Sequence, residues 1–440
     1  MAAPPAPRGR AARTAMTAWL SRPLASFHLL LALCGLLTVL GVIMVLSASA
    51  VSSYDAQTGS GVYAQFQKHL MFVAIGAVAC WVGLRVPLRR IRRLSPSLML
   101  VCLAALVLVL TPLGASADGA QRWFSLGPFS VQPVELAKVA LTLWGAHILV
   151  LKADVLHHWR HLLVPVVPVA LVLVALVMAQ PNLSGTITLG VVVLALLWFA
   201  GAPKRLFVVL FLAGGAGVLT LALTAEYRLA RVLSFLSPDP DGAGSSYQAT
   251  QAQYALADGG LFGVGLGSGQ SKWQYLPNVH NDFIFALIGE ELGFVGCVVV
   301  LALFGGLAVV GLRIATRNTD PWIRMVAGTS TVFLTVQAAI NVGYVVGLLP
   351  VTGVTLPLVS YGGTSLVVTM LLVGILANAA RHEPDAVGAL RSTGPGRLGR
   401  LLRLPAPEPY RPRARRTVLT GRRRDRRQQE VQGRGERRFR

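Results

Sequence analysis

The stretch LPNVHNDFIFALIGEELGFVGCVVVLALFGGLAVVGL, residues 276–312, decides the fold. From Phe283 onward it is an almost unbroken apolar run of about 30 residues, more than the ~20 that a helix needs to cross ~30 Å of hydrocarbon. Such a length predicts a helix that tilts or begins outside the bilayer. Asp282 stands at its head, and Glu290 and Glu291 lie inside it.

The same apolar signature recurs at 27–49, 69–86, 98–113, 134–151, 162–179, 185–202, 206–224, 326–349 and 363–380, with 98–113 the short one. Of the 440 residues, 54% are hydrophobic and 13% are charged. Soluble domains carry about 25% charged residues, and mean hydropathy is +0.61. A soluble enzyme is excluded. The first run is too long for a cleaved leader and ends without a clean small-residue cleavage site, so it reads as a retained anchor. The expected fold class is an all-α polytopic membrane protein of ten transmembrane helices.

Lys and Arg in short loops orient such a bundle. With the N-terminus inside, the inner segments before the tail hold Arg8, Arg10, Arg13, Arg22, Arg85, Arg89, Arg90, Arg92, Arg93, Lys152, Arg160, Lys204, Arg205, Arg313, Arg317 and Arg324. The outer segments hold only Lys68, Arg122, Arg228, Arg231 and Lys272. Both termini are therefore expected in the cytoplasm, and segments 118–133, 180–184, 226–281 and 350–362 outside. The chain divides into a cytoplasmic segment (1–24), a membrane domain (25–380) with a large extracytoplasmic loop (225–281) between helices 7 and 8, and a tail (381–440). That loop contains turn chemistry at 237–246 and then a possible short helix at 247–258.

The net charge of +22 is local, because 18 of the 40 basic residues, all Arg, fall in the tail. The tail's Arg, Pro and Gly content predicts disorder. Nucleic acid is not an expected partner; anionic headgroups or an acidic protein suit the tail better. Cys34, Cys80, Cys102 and Cys297 sit in apolar runs and read as small apolar residues.

Asp282 admits two readings. The plainer is an interfacial helix cap accepting backbone N–H groups. The other is a partly desolvated carboxylate whose raised pKa suits a general base. Glu290 and Glu291, eight and nine residues on, lie about 12 Å deeper on a continuous helix. Buried carboxylates there are paired with a basic group on another helix, or they are functional. Glu135 and Lys138 share a helix face at i, i+3, as a simple ion pair or as a phosphate-binding lysine held by its neighbour. Arg122 and Trp123 add a cation and an amphipathic ring just upstream. The glycine-rich segment 259–269 lacks the strand and helix context of a dinucleotide loop, leaving close backbone approach to a ligand or the bilayer as its use. His280 reads more simply as a hydrogen-bonded loop histidine than as a catalyst.

Taken together, GAQRWFSLGPFSVQPVELAK (119–138), QPNLSGT (180–186), GGLFGVGLGSGQSKWQYLPNVHNDFIFALIGEELGFVG (259–296) and NVGYVVGLLPVTGVTLPLVSYGGTS (341–365) resemble the SEDS (FtsW/RodA/SpoVE) family. The resemblance runs in order from about residue 27 to 380. The opening GVIMVLSASAV and the Arg-rich tail are most like the family's division branch, FtsW. Five Lys against 35 Arg fit a high-GC bacterium such as an actinobacterium.

The resemblance implies a peptidoglycan glycosyltransferase that polymerises lipid II at the outer face of the cytoplasmic membrane during septal wall synthesis. It puts Asp282 at the family's essential acidic position, and Trp123, Glu135 and Lys138 at other functional positions. Attack of a sugar 4-hydroxyl on a pyrophosphate-bearing anomeric carbon needs a base, assigned to Asp282, and cations for the leaving group. The candidate substrate-binding residues are Arg122, Trp123, Glu135, Lys138, Arg228, Arg231, Lys272, His280 and Ser360, with Mg2+ or Mn2+ as an optional helper and no protein metal site. Implied partners are a cognate class B penicillin-binding protein transpeptidase and other division proteins reached through the tail. Two departures stand out: Asn182 replaces an acidic residue common in the family's 181–186 motif, and Asn281 replaces a common Thr. The rival readings are a lipid II flippase, an elongation polymerase of the RodA type, and a scaffold without chemistry.

Overall fold

The computed structural model describes residues 22–52, 63–117, 120–127, 129–155, 162–223, 245–271 and 281–410. Helices α1 (Ala25–Ser52), α2 (Ala64–Arg85) and α3 (Leu88–Leu108) lead into strands β1 (Ala115–Ala117), β2 (Ala120–Leu126) and β3 (Phe129–Val131). Then follow α4 (Pro133–Leu151), α5 (Val166–Ala179), α6 (Leu183–Phe199), α7 (Lys204–Leu223), α8 (Ser245–Asp258) and α9 (Ile284–Arg317). The last helices are α10 (Pro321–Val345), α11 (Thr364–Arg381), α12 (Pro384–Ser392) and α13 (Arg397–Leu401). Among the described residues, seven helices (α1 to α4 and α9 to α11) are long and apolar enough to cross a membrane, and α5 and α6 are apolar but shorter. Each apolar run read from the sequence overlaps a helix. α4, α10 and α11 are the most buried of the long helices and form the centre of the bundle. The four cysteines are free, as expected of apolar fillers.

Two expectations about local structure need correcting. The run placed at 98–113 belongs to a helix that starts ten residues earlier, at Leu88. Arg89, Arg90, Arg92 and Arg93 fill its first turns, because arginine is a good helix former whose stem lies along apolar surface. Arg92 turns inward, its Nε donating to His147 Nδ1 at 3.1 Å, with its guanidinium 5.9 Å from the Trp322 ring centre. The second correction is the sheet, which the all-α reading lacks. β2 pairs antiparallel with both β1 and β3, and Gly127 (φ 66°) sits in the turn after it. Gln121 anchors the sheet by donating to the carbonyls of Thr111 (2.6 Å) and Gly114 (3.0 Å).

α9 breaks at Gly293, whose φ of 68° and ψ of −167° only glycine adopts without strain. The break orphans carbonyls on one side and N–H groups on the other. The glycine-rich segment supplies both sets of partners. Val264 and Gly265 donate N–H bonds to the carbonyls of Glu290 (2.9 Å) and Glu291 (3.1 Å). Phe294 and Val295 donate to the carbonyls of Gly260 (2.9 Å) and Leu261 (3.2 Å). The close backbone approach expected of these glycines is therefore to the chain's own broken helix, rather than to a ligand or lipid.

The opposite end of the bundle is tied by the segment after α11. The disorder expected from Arg381 onward is replaced, as far as Tyr410, by α12, α13 and an extended return. Trp81 Nε1 donates to the Leu402 carbonyl (3.0 Å), and Arg381 donates to the Pro405 carbonyl (2.8 Å). Arg89 pairs with Glu408 at 2.7 Å, and Arg317 lies 3.6 Å from Asp385 and 3.8 Å from Glu383. Leu398 and Leu402 pack on the core, and Leu404 is buried. Enough apolar surface is interspersed with the arginines for this part of the tail to fold back.

Two predictions follow from these ties. Gly293→Ala places a methyl 2.3 Å from the Gly263 nitrogen. Added to backbone strain of about 1–3 kcal/mol, this clash is expected to lower the thermal midpoint in detergent clearly below that of Gly388→Ala, where the space is open. Truncation after Arg381 is expected to lower the same midpoint, whereas truncation after Tyr410 leaves it unchanged; equal midpoints for the two truncations would contradict the tie.

Candidate active site

Asp282 immediately precedes Phe283, the residue that caps α9, and no side chain caps that helix end. The plainer reading of Asp282 as a helix cap is thereby set aside. Its main chain is fixed instead. The Asp282 carbonyl accepts from Asn341 Nδ2 (2.9 Å) and the Tyr344 hydroxyl (2.7 Å). The same two groups also reach the Val354 carbonyl, each at 2.8 Å. Gln337, one turn before Asn341, donates to the Thr355 carbonyl at 3.0 Å. Three polar side chains on one stripe of α10 thus hold the 350–362 loop, and two of them also hold the start of α9. The Phe283 ring packs edge-on against Tyr344 at 5.7 Å.

With its backbone held this way, Asp282 keeps its carboxylate for other work. Gly353 (φ 71°) lies alongside, so that a Cβ there would stand 3.5 Å from Asp282 Oδ2. Burial pushes the carboxyl up to about 6, and the Arg122 guanidinium pulls in the other direction. Arg122 comes from β2, a different element, so the missed sheet is what brings a cation to the acid. The Arg122 Nε is buried and has no hydrogen-bond partner. A buried guanidinium donor left open is costly unless something anionic or polar completes it. An acid tuned toward neutrality beside an incompletely used cation is an arrangement able to take a proton and to steady a departing anion.

The other expected site residues fall in four different settings. Glu135 and Lys138 form the simple ion pair, with Nζ to Oε1 at 2.9 Å and side-chain exposures of 13% and 4%. The Lys138 ammonium also lies 5.1 Å from the Phe333 ring centre. The lysine is thus enclosed and neutralised. Trp123 is half-buried on β2 beside Arg122, opposite Ala115 across the sheet. Ser360 is buried inside its loop, where its hydroxyl accepts from the Leu356 N–H at 2.8 Å and shapes a turn. Arg228, Arg231, Lys272 and His280 lie outside the described residues. Asn182, where the family often carries an acid, caps α6 by accepting from the Gly185 N–H at 2.9 Å.

Sequence reasoning assigned no role to Asn341 and Tyr344, which do most to place Asp282. Their signal was available: polar residues at i, i+4 and i, i+7 from Gln337 on an otherwise apolar membrane helix are expensive unless partnered. Among the described residues, no group of three or more His, Cys, Asp or Glu side chains is placed to hold a metal ion.

The fold and motifs have close counterparts. The family described as cell cycle protein, FtsW/RodA/SpoVE, matches over residues 27–385. The probable peptidoglycan glycosyltransferase FtsW of Mycobacterium tuberculosis is 50% identical over 401 residues, covering 91% of this chain and 76% of that one. Stage V sporulation protein E of Bacillus subtilis is 40% identical over 350 residues, covering 79% and 95%. Among solved structures, a chain from a peptidoglycan synthase complex that coordinates polymerization and crosslinking is similar at a TM-score of 0.66 and 28% identity, covering 83% of this chain and 99% of that one. The rod shape determining protein RodA of Thermus thermophilus follows at 0.59 and 28%, covering 81% and 96%. With this coverage, in both sequence and structure, the chain belongs to the FtsW/RodA/SpoVE (SEDS) family of multi-pass membrane proteins.

Proposed function

We propose that this chain is a peptidoglycan glycosyltransferase that polymerises lipid II during septal wall synthesis. The observation that carries the reading is Asp282 at the head of α9, its main chain held by Asn341 and Tyr344 and its carboxyl lifted to about 6 by burial, with the Arg122 guanidinium near enough to act on it. The names of the relatives, peptidoglycan glycosyltransferases, support the reaction class. The Arg-poor outer segments and Arg-rich inner ones support ten crossings, with Asp282 at the outer boundary and both termini inside.

In the reaction, Asp282 accepts the proton of a sugar 4-hydroxyl as its oxygen bonds to the anomeric carbon of a second lipid II. The bond from that carbon to pyrophosphate breaks, and the polyprenyl pyrophosphate leaves with its electron pair. Arg122 supplies positive charge against the negative charge that develops there, which is worth most where water is excluded. A carboxylate near 6 is mostly ionised at pH 7 yet is a stronger base than an ordinary aspartate. The donor arrives activated, so no nucleotide is required. A divalent cation, were one used, would supply positive charge to the leaving pyrophosphate; among the described residues no group of three or more His, Cys, Asp or Glu is placed to hold one. Similarity to a chain from a peptidoglycan synthase complex supports a penicillin-binding transpeptidase as partner.

Lipid II polymerisation by the full chain with that partner tests the reading. Asp282→Asn keeps the side chain's shape and is expected to reduce kcat by about 10²-fold or more; glycan strands made at the normal rate would rule out Asp282 as base. In the wild type, kcat/KM is expected to fall as pH drops through about 6, because protonation removes the base. Arg122→Ala is expected to lose on the order of 10²-fold in kcat. It should also move the acid limb to higher pH, since the group that lowers the Asp282 pKa is gone; a limb that stays put or moves down would contradict the pairing.

A further inference from the structure

Glu290 lies in the short helical stub between Asp282 and the break at Gly293, and only 2% of its surface is exposed. The sequence pairs such a carboxylate with a basic group on another helix. The structure gives it a different set of partners. Glu290 Oε1 accepts from the backbone N–H groups of Gln270 (2.5 Å) and Ser271 (3.2 Å). Oε2 accepts from the Ser271 hydroxyl. Both oxygens are used, and every donor belongs to one point of the chain. Gly269 makes this approach feasible, because a Cβ there would stand 2.8 Å from Glu290 Oε2 and 3.0 Å from its Cδ.

Ser271 lies eleven residues before Asp282, and Glu290 eight residues after it. Gln270 and Ser271 are therefore gripped by a residue of the same helical stub that Asp282 precedes. On the other side, Asn341 and Tyr344 grip the Asp282 carbonyl. We infer that Glu290 is a positioning residue for the proposed polymerisation: its carboxylate clamps Gln270 and Ser271 to α9 and so sets where Asp282 stands. The inference rests on the reaction proposed above. A carboxylate is needed because glutamine offers one acceptor oxygen, and its amide would face the Ser271 donors with a donor of its own.

The test uses the full chain with its transpeptidase partner, comparing wild type, Glu290→Gln, Ser271→Ala and the double variant. Misplacing a catalytic group by about 1 Å can cost 10²-fold, so Glu290→Gln is expected to lose about tenfold or more in kcat with KM for lipid II changed by less than about twofold. Hydrogen exchange at the Gln270 and Ser271 amides should quicken, while amides of α10 and α11 keep their protection. Ser271→Ala, which removes one of three bonds, should lose less, and the double variant should be no worse than Glu290→Gln alone. A wild-type kcat in Glu290→Gln, additive losses in the double variant, or exchange that quickens uniformly along the chain would each overturn the clamp. Should Glu290→Gln fail to fold, Ser271→Ala decides: unchanged exchange at Gln270 together with unchanged kcat refutes the clamp. Should wild type make no glycan, the proposed reaction fails, and the exchange pattern still judges the clamp.

Discussion

Backbone polar groups have no water to turn to at membrane depth, and the organisation of the Asp282 end follows from that constraint. A helix that breaks inside a bundle must find partners for the groups it exposes. Here the break at Gly293 is bridged by the 259–265 segment, whose own N–H and C=O groups take the place of the missing helical turn. The break leaves a stub of nine residues carrying Asp282 just before its start and Glu290 near its end. Without the glycine-rich bridge the stub would be free to unravel, and the acid would lose both its depth and its direction.

Hydropathy made the helices legible, because a spanning segment must be apolar for its whole length and little else in a protein is. It placed helix ends less well. Arg89, Arg90, Arg92 and Arg93 look like a loop by polarity, yet they form helix, with Arg89 reaching outward to Glu408 and Arg92 turned inward to His147 and Trp322. The sheet at 115–131 escaped notice for another reason: its strands are three, seven and three residues long, too short for a period of two to stand out. The folded part of the tail was hidden by averaging, for the arginines after residue 410 masked Leu398, Leu402 and Leu404 before it.

At the site, charge was the readable quantity and geometry was not. Asp282, Arg122, Glu135 and Lys138 stand out as ionisable residues beside apolar runs. Their sequence spacing could not say that the charge of Arg122 is felt by Asp282 while Lys138 pairs with Glu135. Asn341 and Tyr344 carry no charge and sit within a helix that reads as ordinary membrane filler. Their importance appears only when the Asp282 and Val354 carbonyls are seen to meet on them. Ser360 illustrates the reverse: a hydroxyl in a conspicuous loop that proves to be occupied by its own backbone.

The folded strap after α11 gives the molecule a mechanical property. Leu402, Pro405 and Glu408 are fastened to α2, α11 and α3 through Trp81, Arg381 and Arg89. A tug on the chain beyond Glu408 is therefore delivered to three helix ends at once, with the ion pair of Arg89 and Glu408, the most exposed fastening, yielding first. A cargo or reporter fused past that point pulls on the bundle as a handle bolted at several places, rather than as a loose thread.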